Sequence, residues 1–337
     1  MATIKDIAEK LGIAISTVSK GLNGAHDISD EMRQLVLDAA VEMGYASKKI
    51  KASNSKKVCV FLENKDYANI EQFGYDVIVG FKTSAARRNW EVTVIPVNLT
   101  RQTAEKYDTY MLKNGFSGSF VLGFTLHDDW IYQLSQTTVP TVLLDYYNEQ
   151  NQNIGFVGTD YNEGIDQAVH HLSNLGHNKI AFLNGSKKSL ISEQRYDAFI
   201  NSLMKRGLSI YSDLIKYGHS QSDCAKDHVP HFVKSGATAI LCASDVIASG
   251  VIKELSRLGL RVPEDISVIG YDDLPMASYT SPSLTTIRQE RTDLGKSAFL
   301  LLDGLIHNVS TSKLLLRSKF IPRNSTAPRN EKKAALI

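Results

Sequence analysis

Two groups of residues in this chain could do chemistry. The first is the run Ile15 to Lys20, ISTVSK, which brings three hydroxyls and an ammonium into six positions. Hydroxyls and a lysine can reach DNA base edges or phosphate oxygens. The second group follows apolar runs further on: Gly123 and Phe124, Asp145 and Tyr146, Ser244 and Asp245, Asp272 and Asp273. Carboxylates and hydroxyls of this kind bond sugar hydroxyls, and aromatic rings cover apolar sugar faces. Catalysis finds less support. Asp272 and Asp273 lack a partnered nucleophile or a metal cluster, which points to binding rather than acid–base work. His170 and His171 are adjacent, so they cannot share one helix face as a zinc pair would. The first apolar run is not followed by G-x-G-x-x-G, and neither a P-loop nor a G-x-S-x-G elbow occurs. No catalytic residue, metal ligand or cofactor is expected.

The elements that must position these residues begin at the N-terminus. Thr3 can cap a first helix over IKDIAEKLG, with Asp6 near its positive end and Gly12 as its stop. Ile4, Ile7, Ala8 and Leu11 give that helix one apolar face. A second helix fits ISTVSKGLN, with Val18 and Leu22 inward and Ile15, Ser16, Thr17, Ser19 and Lys20 outward or sideways. A third starts at the N-cap Ser29 and runs through MRQLVLDAAVEMG. Helix, tight turn, short polar helix and bracing helix is the helix-turn-helix layout. On layout alone, a helical bundle that packs against another protein fits equally well.

The chain has 337 residues, room for two or three domains, and its hydrophobic fraction of 43% fits packed cores. Formal net charge is only +2, so a surface for polyanions has to be local. One local patch is YASKKIKASNSKK, from Tyr45, where Lys48, Lys49, Lys51, Lys56 and Lys57 sit among small residues. It is expected to link what lies on either side, either as a solvated tether or with its lysines offered to phosphates. No apolar run can span a bilayer, and MATIKDIAEK is no signal peptide. The isolated cysteines Cys59, Cys224 and Cys242 are expected to be reduced core residues of a cytoplasmic protein.

From Val58 onward, apolar runs alternate with helical patterns, and the series restarts after about Asp160. KVCVFLE, EVTVIPVN, GSFVLGF and PTVLLDY are strand-like, as are KIAFLNG, ATAILCAS and SVIGYDD later. Helices lie between them, the last expected over DVIASGVIKELSRLGLRVPEDI. Such alternation predicts parallel βα units in two Rossmann-like subdomains with a cleft between them. Ligands in such sheets sit beyond the carboxyl ends of the strands.

The residues themselves carry a resemblance. ATIKDIAEKLGIAISTVSKGLNG, then ISDEMRQLVLDAAVEMGY, resembles the DNA-binding headpiece of LacI/GalR family bacterial transcription regulators. VGTDYNEGIDQAVHHLSNLGHNKIAFLNG and CASDVIASGVIKELSRLGLRVPEDISVIGYDD, followed by SPSLTTIRQE, are similar to that family's body. The resemblance covers most of residues 1 to 325, more loosely between Glu63 and Tyr147. It implies that Ile15, Ser16 and Lys20 read bases while Thr17, Ser19 and Asn23 position the backbone, with Thr3 also at the DNA. It also implies a hinge after Tyr45 that folds on DNA and inserts an apolar wedge into the minor groove. Here the usual proline, arginine and leucine are missing, and Ile50 is the candidate wedge. Ala14 replaces the usual serine before the second helix, and Lys20 stands where arginine is common. In the body the resemblance gives an effector site of Phe73, Tyr75, Phe124, Asp160, Arg195, Ser244, Asp272 and Gln289. Ser244 stands where the family often has asparagine. For Asp160 a plain helix-capping role fits as well.

The expected organisation is an all-α helix-turn-helix headpiece over 1–47, a lysine-rich hinge over 48–57, and an α/β effector-binding and dimerisation body over 58–325. The body resembles periplasmic binding proteins, with an N-subdomain of about 58–160 and 290–320 and a C-subdomain of about 161–289 and 321–330. A tail follows over 331–337 and lacks leucine heptads. The expected function is a repressor that binds a pseudo-palindromic operator in double-stranded DNA as a homodimer. A small effector, a sugar or sugar derivative, modulates it, and no membrane is involved. The rivals are a regulator tuned by a partner protein, a solute-binding protein and, with least support, a sugar-converting enzyme.

Overall fold

The computed structural model describes residues 2–45, 56–63, 67–124, 128–146, 151–219 and 221–329. Lys48, Lys49, Ile50 and Lys51, and with them the wedge expectation, lie outside the described residues.

The headpiece is three helices: α1 (Ile4–Leu11), α2 (Ile15–Asn23) and α3 (Asp30–Glu42). Each boundary has a local cause. The Thr3 hydroxyl accepts from the Asp6 amide while the Asp6 carboxylate accepts from the Thr3 amide, a closed capping box. Gly12 and Gly24, at φ 65° and 69°, end α1 and α2 in the left-handed region. The Ser29 hydroxyl caps α3 at the Met32 amide, whereas Ala14 gives α2 no side-chain cap. Ile7, Val18, Val36 and Ala40 are fully buried between the three helices. A Cβ on Gly21 would lie 2.9 Å from the Val36 Cβ, so this glycine lets α2 settle close on α3.

The residues divide into two compact units, one of them carrying the headpiece. The first unit contains β1 (Lys57–Glu63), α4 (Phe73–Ala86) from Asp76 on, β2 (Glu91–Val97), α5 (Leu99–Ala104), α6 (Tyr107–Asn114), β3 (Gly118–Leu122), α7 (Asp129–Leu134), β4 (Thr141–Leu144) and β5 (Ile154–Thr159) to Gly158. The strands β1 to β5 run parallel wherever they pair. Their sheet has the order β11-β5-β4-β3-β1-β2, with β11 at Lys313–Leu316. Within this unit the bracing helix α3 lies against α6. The Thr109 hydroxyl donates to Asp38 at 2.7 Å, and Lys106 reaches Glu42 at 3.3 Å.

The second unit holds α8 (Tyr161–Asn174), β6 (Ile180–Asn184), α9 (Leu190–Lys205), β7 (Ile215–Tyr217), α10 (Ala225–Lys234), β8 (Ala239–Cys242), α11 (Asp245–Arg257), β9 (Ser267–Asp272), β10 (Thr285–Arg288) and, in the returning chain, β12 (Lys319–Ile321). Its sheet has the order β12-β10-β9-β8-β6-β7, parallel except for the antiparallel β10–β12 pair. One helix, α12 (Arg291–Ile306), carries the chain back into the first unit. Two parallel-dominated sheets behind a helical headpiece are the expected architecture.

Some details differ from expectation. Residues 67–75, with Phe73 and Tyr75, group with the second unit rather than with the N-subdomain. The helix beginning at Asp245 ends at Arg257 instead of running toward Ile266, because Gly259 turns left-handed at φ 75°. The strands β5, β7, β10, β11 and β12 and the helices α5, α10 and α12 were not expected.

One polar cluster fixes helix order in the second unit. Asp166 on α8 accepts from Arg206 at 2.6 Å, Ser202 at 2.9 Å and Lys205 at 3.2 Å, which pins α8 to the end of α9. The Arg206 guanidinium, with these further donors, holds the Asp166 carboxyl well below the usual carboxylate range. A depressed folded-state value adds stability above the unfolded pKa, near 4, and that stability fades as pH falls through it. Asp166→Asn is therefore expected to cost about 1 kcal/mol at neutral pH, the low side of a charged hydrogen bond because the site is partly exposed. Urea unfolding at pH 7, 5 and 3 checks this. The gap between wild type and variant should be equal at pH 7 and 5 and smaller at pH 3.

Candidate nucleic-acid interface and effector site

On the headpiece, α2 carries the candidate DNA contacts. Ile15 is 52% exposed, Ser16, Lys20 and Asn23 are exposed, and Thr17 and Ser19 are half-buried at the flanks. Val18 and Leu22 are turned into the core. An apolar side chain as large as Ile15 standing in solvent on a short polar helix suits contact with a thymine methyl or a sugar edge. Lys20 forms an ion pair with Asp27, which lowers the Asp27 carboxyl from its usual value. Both partners are exposed, so this pair can open to free the ammonium for DNA. Thr3 caps α1 through its side chain, which leaves it at a helix N-terminus.

In the second unit, the carboxyl ends of β8, β9 and β10 gather polar side chains. Arg195, on α9 and only 9% exposed, donates to the Ala243 carbonyl just after β8. Its guanidinium lies between two rings, 4.8 Å from the centroid of Tyr161 and 4.1 Å from that of Tyr271. These rings orient the cation and favour its charge. A second nitrogen of Arg195 is 3.9 Å from a carboxylate oxygen of Asp272. The same oxygen accepts from the Gln289 amide at 2.7 Å, and the Gln289 carbonyl accepts from the Thr159 hydroxyl at 2.6 Å. Arg195, Asp272 and Gln289 are thus brought together at the carboxyl ends of the strands.

Below them lies Asp245, fully buried. It accepts from the Thr286 hydroxyl and, at 2.7 Å, from the Leu274 amide. Burial, with the Asp272 carboxylate close by, pushes the Asp245 carboxyl well above its usual value. Asp245 therefore fastens the strand ends from beneath and is a poor candidate for ligand contact.

Other expected residues are placed differently. Asp160 caps α8, accepting from the Asn162 amide at 3.0 Å and the Glu163 amide at 3.4 Å. Ser244 caps α11 at the Ile247 amide, 3.2 Å away. Both side chains have structural work whether or not they also meet a ligand. Phe73 and Tyr75 are half-buried at the start of α4 and belong to the second unit. Phe124 is half-buried and belongs to the first. Tyr161, Tyr271 and Thr159 carry no expectation as ligand contacts, whereas Asp245 and Asp273 belong to the expected strand-end group but are engaged in bonds within the protein. A signal existed for the tyrosines, since each is the chain neighbour of an expected site residue, Asp160 or Asp272.

The fold and these two sites define a class, a DNA-binding transcription regulator with a helix-turn-helix headpiece on a sensor-like body. Comparison with known proteins gives the same result. The family model for bacterial regulatory proteins of the lacI family matches residues 3–48, and the model for the periplasmic binding protein-like domain matches residues 169–326. The HTH-type transcriptional repressor PurR of Pasteurella multocida is 27% identical over 330 residues, covering 94% of this chain and 95% of its own. Among solved structures, the transcriptional regulator CelR–cellobiose complex is similar at a TM-score of 0.73 and 23% identity, covering 96% of this chain and 100% of its own. The lac repressor dimer bound to operator and the anti-inducer ONPF is similar at 0.71 and 24%, covering 97% and 99%. The chain belongs to the LacI/GalR family and is a DNA-binding transcriptional repressor, not an enzyme. No helix among the described residues is long and apolar enough to cross a membrane.

Proposed function

We propose that this repressor acts in the cytoplasm as a homodimer on a pseudo-palindromic operator, and that a small carbohydrate bound at Arg195, Asp272 and Gln289 adjusts its operator affinity. The observation that carries the ligand reading is the buried Arg195–Asp272–Gln289 cluster at the carboxyl ends of β8, β9 and β10. A carboxylate that accepts from a pair of hydroxyls, beside an arginine and an amide, suits a polyol. The similar regulator CelR is solved with cellobiose and a similar regulator from Enterococcus faecium with ribose, which supports the same ligand class. On the headpiece, Ile15, Ser16 and Lys20 would read bases, while Thr3, Thr17, Ser19 and Asn23 would fix register on the phosphates. The lysines Lys48, Lys49 and Lys51 would add phosphate contacts, and Ile50 would be the wedge. Coupling needs only that the ligand prefer one of two body conformations.

A thermal-shift screen against sugars, sugar phosphates, sugar acids and nucleosides tests the ligand reading. A true ligand at a hundred times its dissociation constant stabilises the native state by about 2.7 kcal/mol. Arg195→Ala and Asp272→Ala should each abolish the shift while leaving DNA binding in place. No hit across the panel, or a hit that survives both substitutions, would contradict the assignment.

A further inference from the structure

Asp272 and Asp273 are consecutive non-glycine residues at positive φ, 107° and 51°. L side chains rarely adopt such angles, and pairs of them persist only where neighbouring groups over-determine them. Those groups are present here. One Asp273 oxygen accepts from Arg288 Nε at 2.7 Å, and the other accepts from Arg323 Nη2 at 2.7 Å. Arg323 is itself held, donating through Nη1 to the Leu284 carbonyl at 2.8 Å and through its amide to the Thr285 hydroxyl at 2.9 Å. Asp272 is gripped by Gln289, which is gripped in turn by Thr159.

The chain positions of these partners give the arrangement its meaning. Thr159 is the first residue after the chain enters the second unit from Gly158. Arg288 and Gln289 lie just before it leaves at Arg291. Arg323 follows the re-entry that begins at Leu315. Two of these crossings therefore deliver side chains directly to one two-residue segment, Gln289 and Arg288 from one and Arg323 from another, and the third reaches it through Thr159 and Gln289. We propose that Asp273 is a positioning residue. With Arg288 and Arg323 it holds Asp272 in its left-handed conformation and ties that effector-site carboxylate to the three crossings. The geometry of the site and the geometry of the crossings then change together. The effector role of Asp272 rests on the reading under Proposed function, while the clasp itself is tested without any ligand.

Hydrogen exchange of the full-length, ligand-free protein makes the test, comparing wild type with Asp273→Asn and Asp273→Glu. Asparagine tolerates positive φ but loses the charge and sets an NH2 donor where one of the two carboxylate oxygens accepts from an arginine. The expected result is exchange at least tenfold faster around residues 272–274, 289–291 and 322–324. It should also rise at 159–161, which Asp273 reaches through Asp272 and Gln289. Strands β6 and β8 should keep their protection, and the glutamate should restore much of the loss. Unchanged exchange at the crossings, or a rise spread evenly through the second unit, would overturn the proposal. If Asp273→Asn fails to fold, Arg323→Lys breaks one arm of the clasp and is judged by the same criteria. A failed sugar screen with localised exchange would remove the carbohydrate assignment and leave the clasp standing.

Discussion

A protein lacking residues 1–57 is expected to lose sequence-specific DNA binding altogether, with operator affinity falling by at least about a thousandfold. The estimate follows from the usual gap between specific and non-specific binding in such proteins, about 10³ to 10⁷. The headpiece supplies the helix that fits the major groove, and α2 carries the exposed Ile15, Ser16 and Lys20. The shortened protein should still unfold cooperatively, because each sheet packs within its own unit. Smaller changes locate the effect. Ser16→Ala should weaken operator binding about fivefold, the low end for one base contact, and leave non-specific binding nearly unchanged. Fluorescence anisotropy on operator and on scrambled duplex at one salt concentration separates the two.

Gly295→Ala is expected to be the most damaging methyl addition in the first unit. A Cβ there would sit 1.9 Å from the Val77 carbonyl oxygen and 2.7 Å from the Phe81 amide nitrogen. On the facing helix, a Cβ on Gly80 would meet the Thr292 carbonyl oxygen at 2.0 Å. Helices α4 and α12 thus touch backbone to backbone through two glycines. The obstructing atoms are backbone, so no rotamer change relieves them and the helices must separate. Overpacking usually costs about 1–3 kcal/mol, and this case belongs at or above the upper end. Gly304→Ala on the same helix is the control. Its Cβ would meet Val309 at an ordinary 3.7 Å, and alanine favours a helix over glycine by up to about 1 kcal/mol. Urea unfolding should move the two variants in opposite directions.

Much of the headpiece was legible because its determinants are local. Thr3 with Asp6, Gly12, Gly24 and Ser29 each mark a boundary within a few residues of the helix they end or begin. The apolar runs of β1, β3, β6, β8 and β9 were legible for the same reason, being buried throughout apart from Lys57 at the start of β1. The missed elements conceal their pattern. β5 includes Gly155 and Gly158, which are there because Leu301 and Phe156 press close to them. α10 contains Pro230, and β7, β11 and β12 are short and partly exposed. The site was legible in part. Arg195, Asp272 and Gln289 meet through long-range packing; Asp272 was legible from its place after a strand-like run, whereas Arg195 and Gln289 were anticipated only by family resemblance. Asp160 and Ser244 are of the right chemical type but act as helix caps, and residue type alone does not separate a cap from a ligand contact. The Asp273 clasp was hidden, because Arg288 and Arg323 come from either side of a return through the other unit.

The most direct test of the repressor assignment is selection of bound duplexes from a random library by the full-length protein, followed by sequencing. The proposed function predicts enrichment of one pseudo-palindromic motif with two related half-sites, and loss of that enrichment when Ile15, Ser16 and Lys20 are replaced together by alanine. Recovery of unrelated sequences, with binding that responds to salt but not to sequence, would contradict it.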